Sequence, residues 1–427
     1  MSLDEAFAKI ISEKEARLLR PVASQLGAAL KEYGFVRLYV FPSIDAALAA
    51  AIVVNVLQRN NLAYAVRFTV KPPGELVEPS LLIGYPASVA EEVTARRPSA
   101  LIGYGEQPQG ILPIPVAVVN DSSVAALTAA VLSEVTIVGP FMIYGVIAGY
   151  WRELDRGKKA SFTGFENALL DLLKLENRVE EMFTLRLFRW ALEPTEEALA
   201  LTLDPYLPGL TGNRDAAVEF LKSDPRLAQL LGKRVSEAPE HPLTVLGEKL
   251  YEILKKASRV PRRASEVIGF IYTSYTAPLP DLREASLVLA DYAERVGLYS
   301  LLSLGVEERL AAAAAYTRYL KDFSIVVQVA EQVLSSTSTY ETRRAGKLQL
   351  AVFSENTPVL LADRVLRKLG YLAPEQIPAK RSGDKLLVSL EEVASRLGYQ
   401  QLVQLVESGC IAPIEASVWG WVNAASC

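Results

Sequence analysis

Apolar and polar side chains alternate along Val36-Arg37-Leu38-Tyr39-Val40, which is the pattern of a half-buried strand. After Phe41-Pro42-Ser43 the pattern changes, and Ile44 to Leu57 is apolar on nearly every face of a helix. A helix of that kind is buried. A short strand passing through a loop into such a helix is the repeating unit of a doubly wound parallel sheet, where ligands sit beyond the strand's carboxyl end. The loop from Phe41 to Asp45 is therefore the candidate chemical loop, and Asp45 is its single ionisable residue.

The same reading extends along the chain. Leu3 to Tyr33 predicts one or two amphipathic helices with a break at Pro21 and a stop at Gly34. Further strands are predicted at Ala63 to Val70, Ser80 to Ile83, Ala100 to Ile102 and Val116 to Val119. Asn120-Asp121-Ser122-Ser123 then reads as a helix cap ahead of an alanine-rich helix. Strands alternating with helices imply a parallel sheet. From Gly164 to about Arg263 the pattern is helical, with a loop at Leu203 to Asn213 and the pair Glu180-Glu181 on a solvent face. Beyond a boundary at Tyr275 to Pro280, helices (Leu282–Arg295, Glu307–Tyr319, Glu391–Leu397) mix with strands at Lys347–Phe353 and Lys385–Val388. The expected architecture is α/β: a parallel-sheet domain over 1–205, a helical connector or insertion over 206–270, and a smaller α/β domain over 271–427.

Composition narrows the chemistry. The 427 residues suffice for two or three cores, and 45 basic against 49 acidic side chains leave a net charge of -4. A broad nucleic-acid face would demand a more basic chain. Basic pairs at Arg96-Arg97, Lys158-Lys159 and Arg343-Arg344, and the run Arg259-Val260-Pro261-Arg262-Arg263, read as soluble surface. Cys410 and Cys427 match no metal spacing, so a reducing cytoplasm without a disulfide framework is expected. The uncharged stretch Val135 to Trp151 is interrupted by Pro140 and glycines and falls short of the roughly 20 apolar residues of a membrane span. It reads as buried core. The lone histidine, His241, precedes Pro242 at an expected helix start, which disfavours Ser-His-Asp and Cys-His sites. Gly103-Tyr104-Gly105-Glu106 reads as a turn, and no Walker or Rossmann glycine pattern is present.

The segment Leu201 to Leu221, LTLDPYLPGLTGNRDAAVEFL, resembles the "dPyiPGltG" region of archaeal RecJ-like proteins of the DHH phosphoesterase superfamily. A second segment, Asp281 to Gly305, is similar to that family's helix with an asparagine-alanine-cysteine-glycine-arginine ending, of which Arg295 and Gly297 survive. Active members place a histidine and two aspartates where this chain has Phe41, Ser43 and Asp45. A further aspartate is missing around Ile83-Gly84-Tyr85, and Gly103, Tyr104 and Gly105 stand in the place of the aspartate-histidine-histidine triplet. The histidine of the family's C-terminal substrate loop is absent from Ser408 to Pro413.

Two divalent ions need several carboxylate and imidazole ligands, which one aspartate does not supply. The resemblance therefore implies no catalytic residues, no metal and no cofactor, with Asp45 satisfying backbone N–H groups at a helix start. It is similar, too, to the eukaryotic replication factor that joins the GINS complex and the MCM ring. The implied function is a catalytically inactive scaffold binding GINS, and through it the MCM helicase, in an archaeal replication complex, cytoplasmic and nucleoid-associated. The surface of binding would be the helical section Asp215 to Arg263 or the sheet edges. A competing expectation is a divergent single-strand exonuclease or small-nucleotide phosphodiesterase using Asp45, Asp121 and Glu106. A third is single-strand DNA binding without cleavage, with Phe41 and Tyr104 stacking bases in the cleft between the domains.

Overall fold

The computed structural model describes residues 10–108, 110–336 and 339–427. Residues 3–9 of the expected Leu3 to Tyr33 segment lie outside the described residues; within them, α1 (Glu13–Tyr33) opens on a capping box in which Ser12 Oγ accepts from Glu15 N and Glu15 accepts from Ser12 N. The expected break at Pro21 does not occur. Pro21 lies inside α1, and the cost of one missing N–H is carried by the buried stripe Leu19, Val22, Ala23 and Leu26. Gly34 ends the helix in the left-handed region, φ 61°, where a side chain would be strained.

Strand β1 (Phe35–Val40), helix α2 (Ile44–Arg59) and strands β2 (Ala63–Phe68), β3 (Ser80–Pro86), β4 (Ser99–Tyr104) and β5 (Val116–Val119) follow, then helices α3 (Val124–Ser133) and α4 (Ile143–Trp151). The strands form one parallel sheet in the order β2-β1-β3-β4-β5. Strand order reverses between β1 and β3, so the crevice beyond Phe41 and Gly84 is the switch point of the sheet. Helix α2 is buried almost throughout because α3, α4 and a long C-terminal helix pack around it. Within Val135 to Trp151, a short turn and then α4 bury Val138, Phe141 and the run from Met142 to Tyr150, while Ile137 and Pro140 are exposed. Among the described residues, no helix is long and apolar enough to cross a membrane.

The middle of the chain departs from its uniformly helical expectation. After α5 (Phe165–Leu175), strand β6 (Glu180–Leu185) pairs antiparallel with β7 (Ile268–Thr273), and α6 (Thr195–Leu201), α7 (Arg214–Lys222) and α8 (Glu240–Ala257) lie between them in sequence. Glu180 and Glu181 are thus exposed on a strand, not a helix. The ladder partner lies more than 80 residues away, beyond the reach of any local pattern. His241 is exposed in the first turn of α8.

Helices α9 (Leu282–Val296) and α10 (Leu304–Leu334, bent at Glu307) lead into a mixed six-stranded sheet. Its strands are β8 (Tyr340–Ala345), β9 (Leu348–Phe353), β10 (Ile377–Ser382), β11 (Lys385–Ser389), β12 (Ile411–Pro413) and β13 (Trp419–Val422), ordered β8-β9-β10-β11-β13-β12. Helices α11 (Val359–Lys368), α12 (Leu390–Leu397) and α13 (Tyr399–Glu407) connect them. One expectation is corrected here: Cys410 and Cys427 form a disulfide. The tail returns beside β12, where Asn423 N donates to Cys410 O at 2.8 Å, and this brings the two sulfurs together.

Candidate functional site

Three helix starts converge on the crevice between the two sheets. At α3, each N–H of the first turn is taken by a side chain. Ser123 N donates to Glu166 Oε1 at 2.6 Å, Val124 N and Ala125 N donate to the two oxygens of Asp45 at 2.9 Å each, and Ala126 N donates to Ser123 Oγ at 3.1 Å. Such groups have no partner within a helix, so a buried helix start needs this help. At α2, Ser43 Oγ accepts from Ala46 N at 3.2 Å and Glu391 Oε2 accepts from Ile44 N at 3.2 Å. At α11, Val359 N and Leu360 N donate to Glu294 at 2.9 and 2.8 Å. A helix start is a natural seat for an external anion. Here the protein's own carboxylates occupy it.

Burial pushes the Asp45 carboxyl up, while Arg152, 3.3 Å away, and the two N–H groups oppose that rise. Glu166 and Glu391 are pushed up to about 7, chiefly by burial. Around these groups lies a cleft of about 710 Å³ that includes Phe41, Ser43, Asp45, Gly84 and Tyr104 from one side and Asp363, Arg367, Glu391 and Arg396 from the other. Phe41 packs edge-on against Tyr85 and Tyr399, with ring centres 6.0 and 6.1 Å apart. Tyr104 is pushed up to about 12 by burial. Gly103 is held by packing, since a Cβ there would lie 1.8 Å from Tyr85 O, whereas Gly105, φ 120°, faces open space. Gly84, φ 83°, sits at a shift of register in β3, where a Cβ would lie 2.5 Å from that of Ala46.

The donor set does not suit a pair of divalent ions. Asp45 is engaged by N–H groups and an arginine, and Phe41, Ser43, Gly84 and Tyr104 beside it on the cleft bring no second carboxylate or imidazole. Glu106 and Asp121 are exposed, and among the described residues no group of three or more histidine, cysteine, aspartate or glutamate side chains is placed to hold a metal.

Sequence reading missed the second half of the site. Asp204, in the DPYLPG segment, receives Lys368 Nζ at 2.7 Å, Arg364 at 3.2 Å and Arg283 at 3.3 Å. Burial opposes its ionisation, but these three cations hold it well below the usual carboxylate range. Burial likewise opposes Glu153, yet Lys368 and Arg364 hold it down at about 2. The motif carried the only sequence signal for Asp204. Nothing in the pattern marked Lys368 or Arg364, more than 150 residues further on.

Two outcomes follow from this geometry. Asp45→Ala strips acceptors from two buried N–H groups and is expected to cost about 3 kcal/mol in urea unfolding, against a smaller loss for Asp45→Asn. Glu166 retains its proton in the folded chain up to about 7, against an ordinary value of 4.5, so the folded state binds more protons in that interval. This contribution to stability is fully present below the unfolded value and is lost as pH rises through about 7. Glu166→Gln should flatten the fall in stability between pH 5 and 7.5 by up to about 3 kcal/mol, measured by urea titration at both pH values.

No family profile and no curated sequence matches the chain. Among solved structures, CDC45 from Entamoeba histolytica superposes with a TM-score of 0.57 at 10% identity, covering 96% of both chains. Looser likenesses run to a manganese-bound exonuclease RecJ (TM-score 0.40, 10% identity, 95% of this chain and 89% of that one). Another is RecJ with magnesium from Thermus thermophilus (0.38, 12%, 96% and 50%). The chain thus shares the fold of CDC45 over 96% of its length, α/β with a parallel sheet and a second, mixed sheet in its C-terminal part.

Proposed function

We propose that this chain is a catalytically inactive, RecJ-like scaffold that binds the GINS complex, and through it the MCM helicase, in an archaeal replisome. The observation that carries the reading is the use of Asp45. The one carboxylate of the chemical loop is committed to the start of α3 and to Arg152. A carboxylate spent on two backbone N–H groups is a poor metal ligand, and Tyr104 fills the ground where the resemblance would put the triplet. The full-length likeness to CDC45 supports the same reading. The division into 1–205, 206–270 and 271–427 is part of the proposal, and the surface over Asp215 to Arg263 is its candidate interface.

A second reading, single-strand DNA held without cleavage, is favoured by the cations on the cleft: Arg152, Arg156, Arg364, Arg367, Lys368 and Arg396. A carboxylate beside each of the six offsets that charge.

Size exclusion of the chain mixed with the GINS and MCM complexes of its own organism is the test. Co-elution with GINS at micromolar concentration is expected, together with no degradation of a 5′-labelled single strand in manganese. Elution alone, or cleavage abolished by Asp45→Ala in a variant still folded by circular dichroism, would overturn the scaffold reading.

A further inference from the structure

Helices α9 and α10 pack along each other, and two carboxyl groups meet inside their joint. Asp291 on α9 is 0% exposed and Asp322 on α10 is 3% exposed. The pair lies within hydrogen-bond reach. The nearby cations are spent on one member. Arg295 Nε at 2.8 Å and Arg318 Nε at 3.2 Å both donate to Asp322 Oδ2, and Arg295 also donates to Asn356 O at 2.6 Å. No protein donor reaches either oxygen of Asp291.

An ionised carboxyl without a donor is costly in a protein interior, and a second carboxylate beside it adds repulsion. The neutral form has an O–H to give, and Asp322 is the acceptor next to it. Burial pushes the Asp291 carboxyl up to about 8, with Asp322 and Glu294 adding to the rise and Arg295 opposing it. Other charged groups around the joint are committed elsewhere. On α9, Glu294 accepts from the start of α11 with Lys380 of β10 3.9 Å away, and Glu284 pairs with Arg189. On α11, Asp363 pairs with Arg367, while Arg364 and Lys368 pair with Asp204. The titratable groups of α4, β7 and the turn at 299–302 are tyrosines, as is Tyr319 of α10, whose buried hydroxyl is unbonded.

Helix α10 fastens distant parts of the chain. Glu308 near its start accepts from Tyr144 Oη at 2.9 Å, and Glu331 near its end holds the loop of Tyr206 and Gly209. We propose that Asp291 and Asp322 share one proton that latches α9 to α10, and that its loss to solvent as pH rises sets two carboxylates against each other and loosens the joint. The latch goes beyond the scaffold reading and stands whether or not the chain binds GINS.

The closed joint keeps the proton up to about 8, whereas an opened one releases it near the ordinary value of 3.8. The closed form therefore binds more protons between those values. Its advantage is full below 3.8, shrinks as pH rises and is gone above about 8. Hydrogen exchange of the full chain between pH 5.5 and 7.5, expressed as protection relative to unstructured amides, tests this. Amides of α9 and α10 should lose protection with rising pH ahead of those of the parallel sheet. Asp291→Asn gives Asp322 an N–H that does not titrate, so its loss of protection should be about tenfold smaller per pH unit than that of the parent. Asp291→Ser, smaller and with one hydroxyl donor, should behave in the same way and serves if the asparagine variant does not fold. Constant protection of α9 and α10 in the parent overturns the latch, and that result needs no variant. So does a loss equally steep in the variants, or one that the parallel sheet shares in full, which would make the proton a general stabiliser and not a joint.

Discussion

Helix starts buried against the crevice impose the constraint on which the rest of the structure depends. A buried N–H without a partner costs about 1–3 kcal/mol, and several helices begin where water cannot serve them. The chain solves this with carboxylates lent from elsewhere: Asp45 to α3, Glu391 to α2, Glu294 to α11. Each loan ties two elements together. Glu391 joins the C-terminal sheet layer to the first βα loop, and Asp45 locks α2 to α3 through the core of the parallel sheet. The electrostatics of these sites follow from the same arrangement, because burial raises each carboxyl while the N–H dipoles offset part of the cost.

A second set of ties is ionic. Asp204 gathers Arg283, Arg364 and Lys368 from two distant helices, and Arg364 adds bonds to Tyr150 O and Trp151 O at 3.0 and 2.8 Å. The loop that carries Asp204 is itself anchored to α10, where Glu331 accepts from Tyr206 Oη at 2.6 Å and Gly209 N at 3.1 Å. A buried charge cluster of this kind is costly unless each member is paired.

These two networks bear directly on function. Asp45, the one carboxylate of the first loop, is part of the framework. The large cleft is consequently better described as a joint between two halves, held by Glu391, by Lys71 with Glu407 at 2.6 Å, and by Tyr399 Oη with Val70 O at 2.9 Å.

The parallel sheet was legible from sequence because its strands and buried helices carry their own signals: the alternation of Val36 to Val40, the apolar wall of α2, the serine cap before α3. Asp45 as a helix-start residue was equally legible as a chemical type, though the helix that it serves most was not, since α3 lies some 80 residues away. Tertiary packing alone decided the rest. It carried α1 through Pro21 on the strength of a buried stripe, paired β6 with β7 across the helices between them, closed Cys410 on Cys427, and assembled Asp204 with Lys368. Local patterns report which face of an element is apolar. Which distant charge, strand or sulfur meets that face is set by how the elements pack, and no short window of sequence contains that information.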